Sequence, residues 1–209
     1  GTRTGRASVV NPPLHTLPTR DSVAKLIKCA FVAPWDHFFV AFDYSQIEIR
    51  VAAMMSGDTR MIELLKSGVD FHLGTAQLVA PKFWGIAVDQ VGPKQRSSCK
   101  EINFGLLYNM TDQGLAKRLG CSVEEARKLR IAILGEFVQL AKWCRENLEY
   151  TKRTGFTWTW WDGEAARLRP LFGVGSDDKS VRTSAENGAT NTRVQGCLPA
   201  STRVLTHNG

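Results

Sequence analysis

A chain of 209 residues, 43% hydrophobic and 22% charged, is long enough to bury a core as one large or two small domains, and its composition excludes a disordered, collagen-like or mucin-like protein. Its 27 Lys and Arg against 20 Asp and Glu leave a net charge of +7 at pH 7, which favours a polyanionic partner. No run approaches the roughly 20 apolar residues of a membrane-spanning helix, and Gly1-Thr2-Arg3-Thr4-Gly5-Arg6 has neither an initiator Met nor an apolar leader, so a cytoplasmic protein without a membrane partner is expected, its recorded sequence starting part-way along a longer chain.

The first twenty residues carry Pro12, Pro13 and Pro18 and the basic Arg3, Arg6 and Arg20, the pattern of an extended arm. Phe38 to Tyr44, FFVAFDY, predicts a buried strand that delivers Asp43 at its end. Helices are predicted over Ile47 to Met55 and, capped by Asp58, over Thr59 to Lys66, with a third over Asp70 to Val79. Pro81 and Pro93 bracket a connection. Beyond it, Lys94 to Met110 has helical spacing, and two or three amphipathic helices follow between Asp112 and Arg153, one of them capped at Cys121-Ser122. Gly155 stops them. FTWTWW, Phe156 to Trp161, reads with Asp162-Gly163 as one arm of a hairpin; Gly173 to Lys179 reads as a loop and Ser180 to Val194 as a weaker helix. The five cysteines, Cys29, Cys99, Cys121, Cys144 and Cys197, form no C-x-x-C pair, which argues for reduced thiols rather than zinc or a disulfide framework.

Two constellations could carry chemistry. Asp43, at a strand end, is the type of hard oxygen ligand that Mg²⁺ prefers, although an Asp at a strand-to-helix junction also serves as a helix cap. Arg96, Lys100, Phe104 and Tyr108 follow one another at intervals of four, so they drift by only about 40° per step along one helical stripe. Two cations suit a triphosphate and two aromatics suit stacking on a base; a solvated basic edge beside core aromatics has the same spacing. No Gly-rich loop ends in Gly-Lys-Ser or Gly-Lys-Thr, so a P-loop is excluded.

DYSQIEIR, Asp43 to Arg50, resembles motif A of the family A DNA polymerases, and RSSCKEINFGLLY, Arg96 to Tyr108, resembles motif B, the fingers helix. TGRAS (Thr4 to Ser8) with NPPLHTLP (Asn11 to Pro18), DFH (Asp70 to His72) and VRTSAENGATNTRVQG (Val181 to Gly196) are similar to further segments in the same order. The resemblance spans residues 4 to 196. It implies an α/β (α+β) fold, an antiparallel palm sheet with a helical fingers subdomain, incomplete here. Residues 1–80 would form the N-terminal palm part, 81–153 the fingers, and 154–196 a hairpin and helix returning to the palm.

By that resemblance, Asp43 is one of two catalytic aspartates that hold two Mg²⁺ ions, with the Tyr44 carbonyl as a further ligand. Arg96 and Lys100 bind the incoming triphosphate, Lys100 as general acid toward pyrophosphate. Gln46 and His72 support the same phosphates, and Phe104 stacks on the nucleotide. Glu48 is similar to the steric gate that excludes a 2′-hydroxyl, so dNTP is the expected substrate. Tyr108 stacks near the templating base, and Arg6, Asn191 and Gln195 contact primer-template DNA. The chain departs from the family pattern at Asn109, where Gly is usual, at Pro13 and His15, and at Asn187, where a basic residue is common. Phe104 in place of Tyr implies discrimination against dideoxynucleotides.

After Gln195-Gly196 the sequence CLPASTRVLTHNG, Cys197 to Gly209, resembles the first splicing block of an intein, a nucleophile followed by a short strand and a turn. Cys197 would attack the Gly196 carbonyl. Residues 197–209 would then be the start of an intein, with the remaining intein and polymerase segments as partners. The sequence contains no His-Asp-Glu element for the second metal-binding aspartate, so these 209 residues are expected to be inactive alone. A non-catalytic primer-template or nucleotide-binding remnant, and the N-terminal part of a splicing precursor, are the competing readings.

Overall fold

The structure, a computed structural model, describes residues 11, 13, 26–27, 29–40, 43–159 and 167–207, with side chains described as far as residue 197. Arg6, His15 and most of the proline-rich segment lie outside the described residues. The fold is α+β, mostly helical, with a small antiparallel sheet of two strands.

Side-chain caps and left-handed turns set the helix boundaries. Helix α1, Ile47–Ser56, ends where Gly57 adopts φ 64°. Asp58 then caps α2, Thr59–Lys66, accepting from the Met61 amide at 3.0 Å. Asp70 does the same for α3, Phe71–Phe83, through the Leu73 amide at 2.9 Å. Pro93 opens α4, Pro93–Leu107, where its missing N–H is no loss. Thr111 caps α5, Asp112–Leu119, and Ser122 with Glu125 forms a reciprocal capping box for α6, Val123–Glu136. Phe137 separates α6 from α7, Val138–Thr154, which stops at Gly155 in the left-handed region. Strands β1, Phe156–Trp158, and β2, Leu168–Pro170, pair antiparallel with Thr157 opposite Arg169. Phe156 to Trp158 of the expected hairpin arm thus have their partner, while Trp160, Trp161, Asp162 and Gly163 lie outside the described residues. A 3₁₀ turn, Phe172–Gly175, precedes the long α8, Lys179–His207.

The core gathers Ile49, Met61, Phe71, Val79, Cys99, Ile102, Leu115, Ile133 and Val194 from seven helices, with Phe137 from the junction of α6 and α7. Phe71 stacks on Phe137 with ring centroids 5.6 Å apart. Burial raises the Cys99 thiol to about 12, which makes it an inert packing residue. Close approach between elements depends on glycine at two points. A Cβ on Gly105 of α4 would lie 2.6 Å from Leu115 Cδ2 of α5, and one on Gly196 of α8 would collide with Thr159, just after β1.

Asp58 joins two helix starts. Its Oδ1 accepts from Met61 in α2 and its Oδ2 from the Leu140 amide in α7 at 3.0 Å, and the residue is wholly buried. The Phe137 side chain cannot cap α7, so Asp58 supplies that cap from 82 residues away.

Four expectations are corrected. The strand over Phe38 to Tyr44 is not formed among the described residues. Phe38, Phe39 and Val40 are exposed there, because no described strand lies beside them to share a ladder. Pro81 sits inside α3 rather than after it, in the last turn, where it costs one hydrogen bond and Trp84 N still closes on Ala80 O at 3.0 Å. The loop at Gly173 to Lys179 includes part of a 3₁₀ turn. In place of the short strand after Cys197, α8 continues to His207, the local continuation of a helix whose preceding turns are already formed. No helix among the described residues is long and apolar enough to cross a membrane.

Candidate active site

The polar edges of α1, α3, α4 and α8 converge beside this core. The expected stripe on α4 is real: Arg96, Phe104 and Tyr108 are half-buried and Lys100 is exposed, while Cys99 and Ile102, turned away from the stripe, are buried. Arg96 donates from Nε to Asp70 Oδ1 at 2.9 Å and from Nη2 to Asp70 Oδ2 at 2.8 Å. Gln46 Nε2 donates to the same Oδ2 at 3.2 Å. Burial pushes the Asp70 carboxyl up, but the bonds from Arg96 and the Leu73 amide, with the Arg96 charge, hold it below its ordinary value. The bond to Asp70 in turn raises Arg96. The pair is ionised at neutral pH.

Gln46 reaches Asp70 because the chain turns sharply there. Its φ of 55° is left-handed, a conformation that costs a non-glycine residue about 1 kcal/mol or more, and it redirects the backbone from Asp43-Tyr44 into α1.

His72, the second residue of α3, is 3% exposed. The Asn103 amide nitrogen lies 3.2 Å from His72 Nδ1 and donates also to Thr75 Oγ1 at 3.1 Å. An amide nitrogen only donates, so Nδ1 accepts and the ring proton sits on Nε2. Burial lowers His72 to about 4; Asp70 opposes that shift, whereas Arg96 and Lys100 reinforce it. The ring is neutral at pH 7 and offers a hydrogen bond rather than a charge, its face tilted toward Phe104 at 5.5 Å. Unfolded histidine titrates near 6.5, so between pH 6.5 and about 4 the unfolded chain takes up the extra proton. The stability contributed by neutral His72 is complete above 6.5 and is lost as pH falls through that window. The urea midpoint is therefore expected to drop between pH 7 and pH 5, and to drop less in His72→Gln.

A second cluster joins three residues to which the sequence assigned separate partners. Tyr108 Oη donates to Glu48 Oε2 at 2.8 Å, and Gln195 Nε2 reaches Tyr108 Oη at 2.8 Å and Glu48 Oε1 at 3.4 Å. Helices α1, α4 and α8 are thereby tied at one point. Asn191 lies one turn before Gln195 on α8, half-buried. Asn109, just past α4, holds φ 47°, and Asn187 of α8, in the amide orientation that pairs donor with acceptor, donates to its carbonyl at 2.8 Å and to Thr183 O at 3.2 Å. The two departures from the family pattern touch each other. Asparagine tolerates left-handed backbone better than alanine, so Asn109→Ala is expected to lower stability by about 1 kcal/mol in urea unfolding, with Asn109→Gly neutral or better.

Asp43 and Tyr44 stand exposed before α1. Together they offer one carboxylate and one carbonyl, hard oxygens that suit Mg²⁺ but fill only part of its octahedron. Among the described residues no group of three or more His, Cys, Asp or Glu could hold a metal. Gly196 and Cys197 are buried within α8, and the Cys197 thiol donates back to Arg193 O at 3.0 Å. Sequence reasoning matched DFH but gave Asp70 no role, nor any to Asn103. An Asp heading a helix just before a site histidine was the available signal for the first; nothing in the spacing pointed to the second.

The model of DNA polymerase family A matches residues 1–200. The chain belongs to DNA polymerase family A. The thermostable DNA polymerase I of Thermus aquaticus is 36% identical over 195 residues, 93% of this chain and 22% of that protein. DNA polymerase I of Streptococcus pneumoniae is 34% identical over 197 residues, again 93% and 22%. Among solved structures, the POL domain of Pol1 from M. smegmatis in complex with DNA primer-template and dNTP aligns with a TM-score of 0.81 at 30% identity, covering 97% of this chain and 35% of that one. This family A chain spans about a fifth of the length of the curated relatives it matches.

Proposed function

We propose that this segment supplies the nucleotide-binding part of a DNA polymerase that transfers a deoxynucleotide from dNTP to a primer 3′-hydroxyl in the cytoplasm. The observation that supports this best is the convergence on one edge of Arg96 and Lys100, cations for a triphosphate, with Phe104 and the Glu48–Tyr108–Gln195 cluster. Arg96 and the Nε2 proton of His72 would hold phosphate oxygens, and Phe104 would stack on the base. Glu48, fixed by Tyr108, would exclude a 2′-hydroxyl. Lys100 Nζ would protonate the leaving pyrophosphate as the 3′-oxygen bonds to the α-phosphorus, the bond from that phosphorus to the bridging oxygen of the β-phosphate breaks, and the 3′-hydroxyl proton passes to water. Mg²⁺, held in part by Asp43 and the Tyr44 carbonyl, would activate that hydroxyl and neutralise charge on the phosphates. Arg6, Asn191 and Gln195 would contact primer-template DNA. The second aspartate would come from sequence outside these 209 residues, which alone would not extend a primer.

Asp43→Ala in a polymerase carrying this segment tests the reading. Primer extension should disappear while primer-template affinity persists; unchanged extension would rule out a catalytic role for Asp43 and leave binding as the segment's function.

The residue types of CLPASTRVLTHNG support a second reading for the end of the chain. Cys197 Sγ would attack the Gly196 carbonyl carbon, the peptide C–N bond would break, a thioester would form, and the Cys197 nitrogen would take the thiol proton. Thirteen residues do not supply an intein fold, so the test is the translated product of the whole reading frame. Cleavage by hydroxylamine after Gly196, abolished in Cys197→Ala, is expected; an uncleaved product would refute splicing there.

A further inference from the structure

We propose that Asp70 is a positioning residue for nucleotide binding: it grips one edge of the Arg96 guanidinium so that the remaining N–H groups are presented to a phosphate. This rests on the nucleotide-binding reading above. Four hydrogen bonds carry the inference. Asp70 Oδ1 accepts from Leu73 N and Arg96 Nε, and Oδ2 accepts from Arg96 Nη2 and Gln46 Nε2. A carboxylate has about four acceptor sites, so Asp70 is saturated by protein donors and has none to offer a metal ion. Its work is organisational.

Arg96 has donors to spare. Of its five N–H groups, two go to Asp70, leaving both on Nη1 and one on Nη2. Its side chain is 41% exposed, so an anion can approach without displacing the carboxylate. The alternative role for Asp70, an internal anion that competes with phosphate for the cation, would require the fork to be vacated. The edge-on geometry makes that unnecessary, since a guanidinium can hold a carboxylate along one edge and a phosphate along another. Gln46 arrives at the same oxygen only because of its left-handed backbone, so the Asp43-to-Gln46 turn, α3 and α4 are locked to one carboxylate. The same carboxylate also caps α3, two residues before His72. Asp70 thus ties the Gln46 turn and the start of α3 to Arg96, the side chain through which it acts on a phosphate.

Asp70→Asn is the discriminating variant. Asparagine also caps helices, so Leu73 N keeps its partner, whereas the amide loses the negative charge and half of the fork. The probe is inorganic tripolyphosphate with Mg²⁺, titrated into the 209-residue chain by calorimetry, with circular dichroism confirming helix content. Asp70→Asn should weaken binding about ten-fold, within the range for groups that orient a ligating side chain. The double variant Asp70→Asn, Arg96→Ala should bind no more weakly than Arg96→Ala, because Asp70 acts through Arg96. A purely structural role would add a further loss in the double variant and would overturn the proposal. Tighter binding by Asp70→Asn would also overturn it and make Asp70 a competitor. If Arg96→Ala weakens binding but Asp70→Asn does not, the positioning role alone fails. If the unaltered chain does not bind tripolyphosphate, the nucleotide-binding reading fails and the inference falls with it.

Discussion

Replacing Lys100 by alanine in a polymerase that carries this segment is expected to lower kcat by about a hundredfold or more, the usual loss when a positioned acid is removed, while primer-template affinity is retained. Lys100 is exposed on α4 four residues after Arg96, close enough to His72 to help depress it, and among the described residues no carboxylate holds it as Asp70 holds Arg96. Arg96 is held along one edge, whereas Lys100 is a mobile point charge; this difference suits Arg96 to binding and Lys100 to proton donation. Arg96→Ala should therefore appear mainly as a higher KM for dNTP and Lys100→Ala mainly as a lower kcat. Single-turnover incorporation over a range of dNTP concentrations separates the two, and an equal loss in both parameters for both variants would remove the division of labour.

Asp58→Ala is expected to destabilise the fold by about 4 kcal/mol in urea unfolding. One helix cap is worth about 1–2 kcal/mol, and Asp58 caps two, α2 through Met61 and α7 through Leu140. Its complete burial means that both amides would be left in a site with little access to solvent, where an unsatisfied donor costs about 1–3 kcal/mol. Asp58→Asn should cost less, since its one carbonyl oxygen can serve either amide but its NH₂ opposes the other. Equal stabilities for the Ala and Asn variants would show that a retained oxygen recovers neither cap and would contradict the double-cap reading.

Local punctuation made much of this fold readable. Asp58, Ser122 and Gly155 stand where their chemistry requires a start or a stop, and the helices follow from them. Strand FFVAFDY was misleading because apolar alternation signals burial only when a neighbour exists to cover it; Phe38 and Phe39 have none among the described residues. Period-four spacing placed Arg96, Lys100, Phe104 and Tyr108 on one stripe of α4, but spacing within one helix says nothing about what faces it. The Asp70 fork lies 26 residues from Arg96, the Glu48 bond 60 residues from Tyr108 and the Gln195 bond 87 residues from it. Such pairings arise from packing and have no local signature. Asn109 and Asn187 show the same limit: each reads as an isolated oddity in sequence, and their hydrogen bond appears only when α4 and α8 are brought together.

The central question is whether this edge of the protein binds a deoxynucleoside triphosphate. Equilibrium titration of the 209-residue chain with a fluorescent dNTP and Mg²⁺, repeated with Arg96→Ala and Lys100→Ala, decides it. Saturable binding that Arg96→Ala weakens more than Lys100→Ala, and that the matching ribonucleotide achieves less well, is the predicted result. Binding that is absent, or that is equal in all three proteins, would contradict the assignment of α4 as the triphosphate-binding helix.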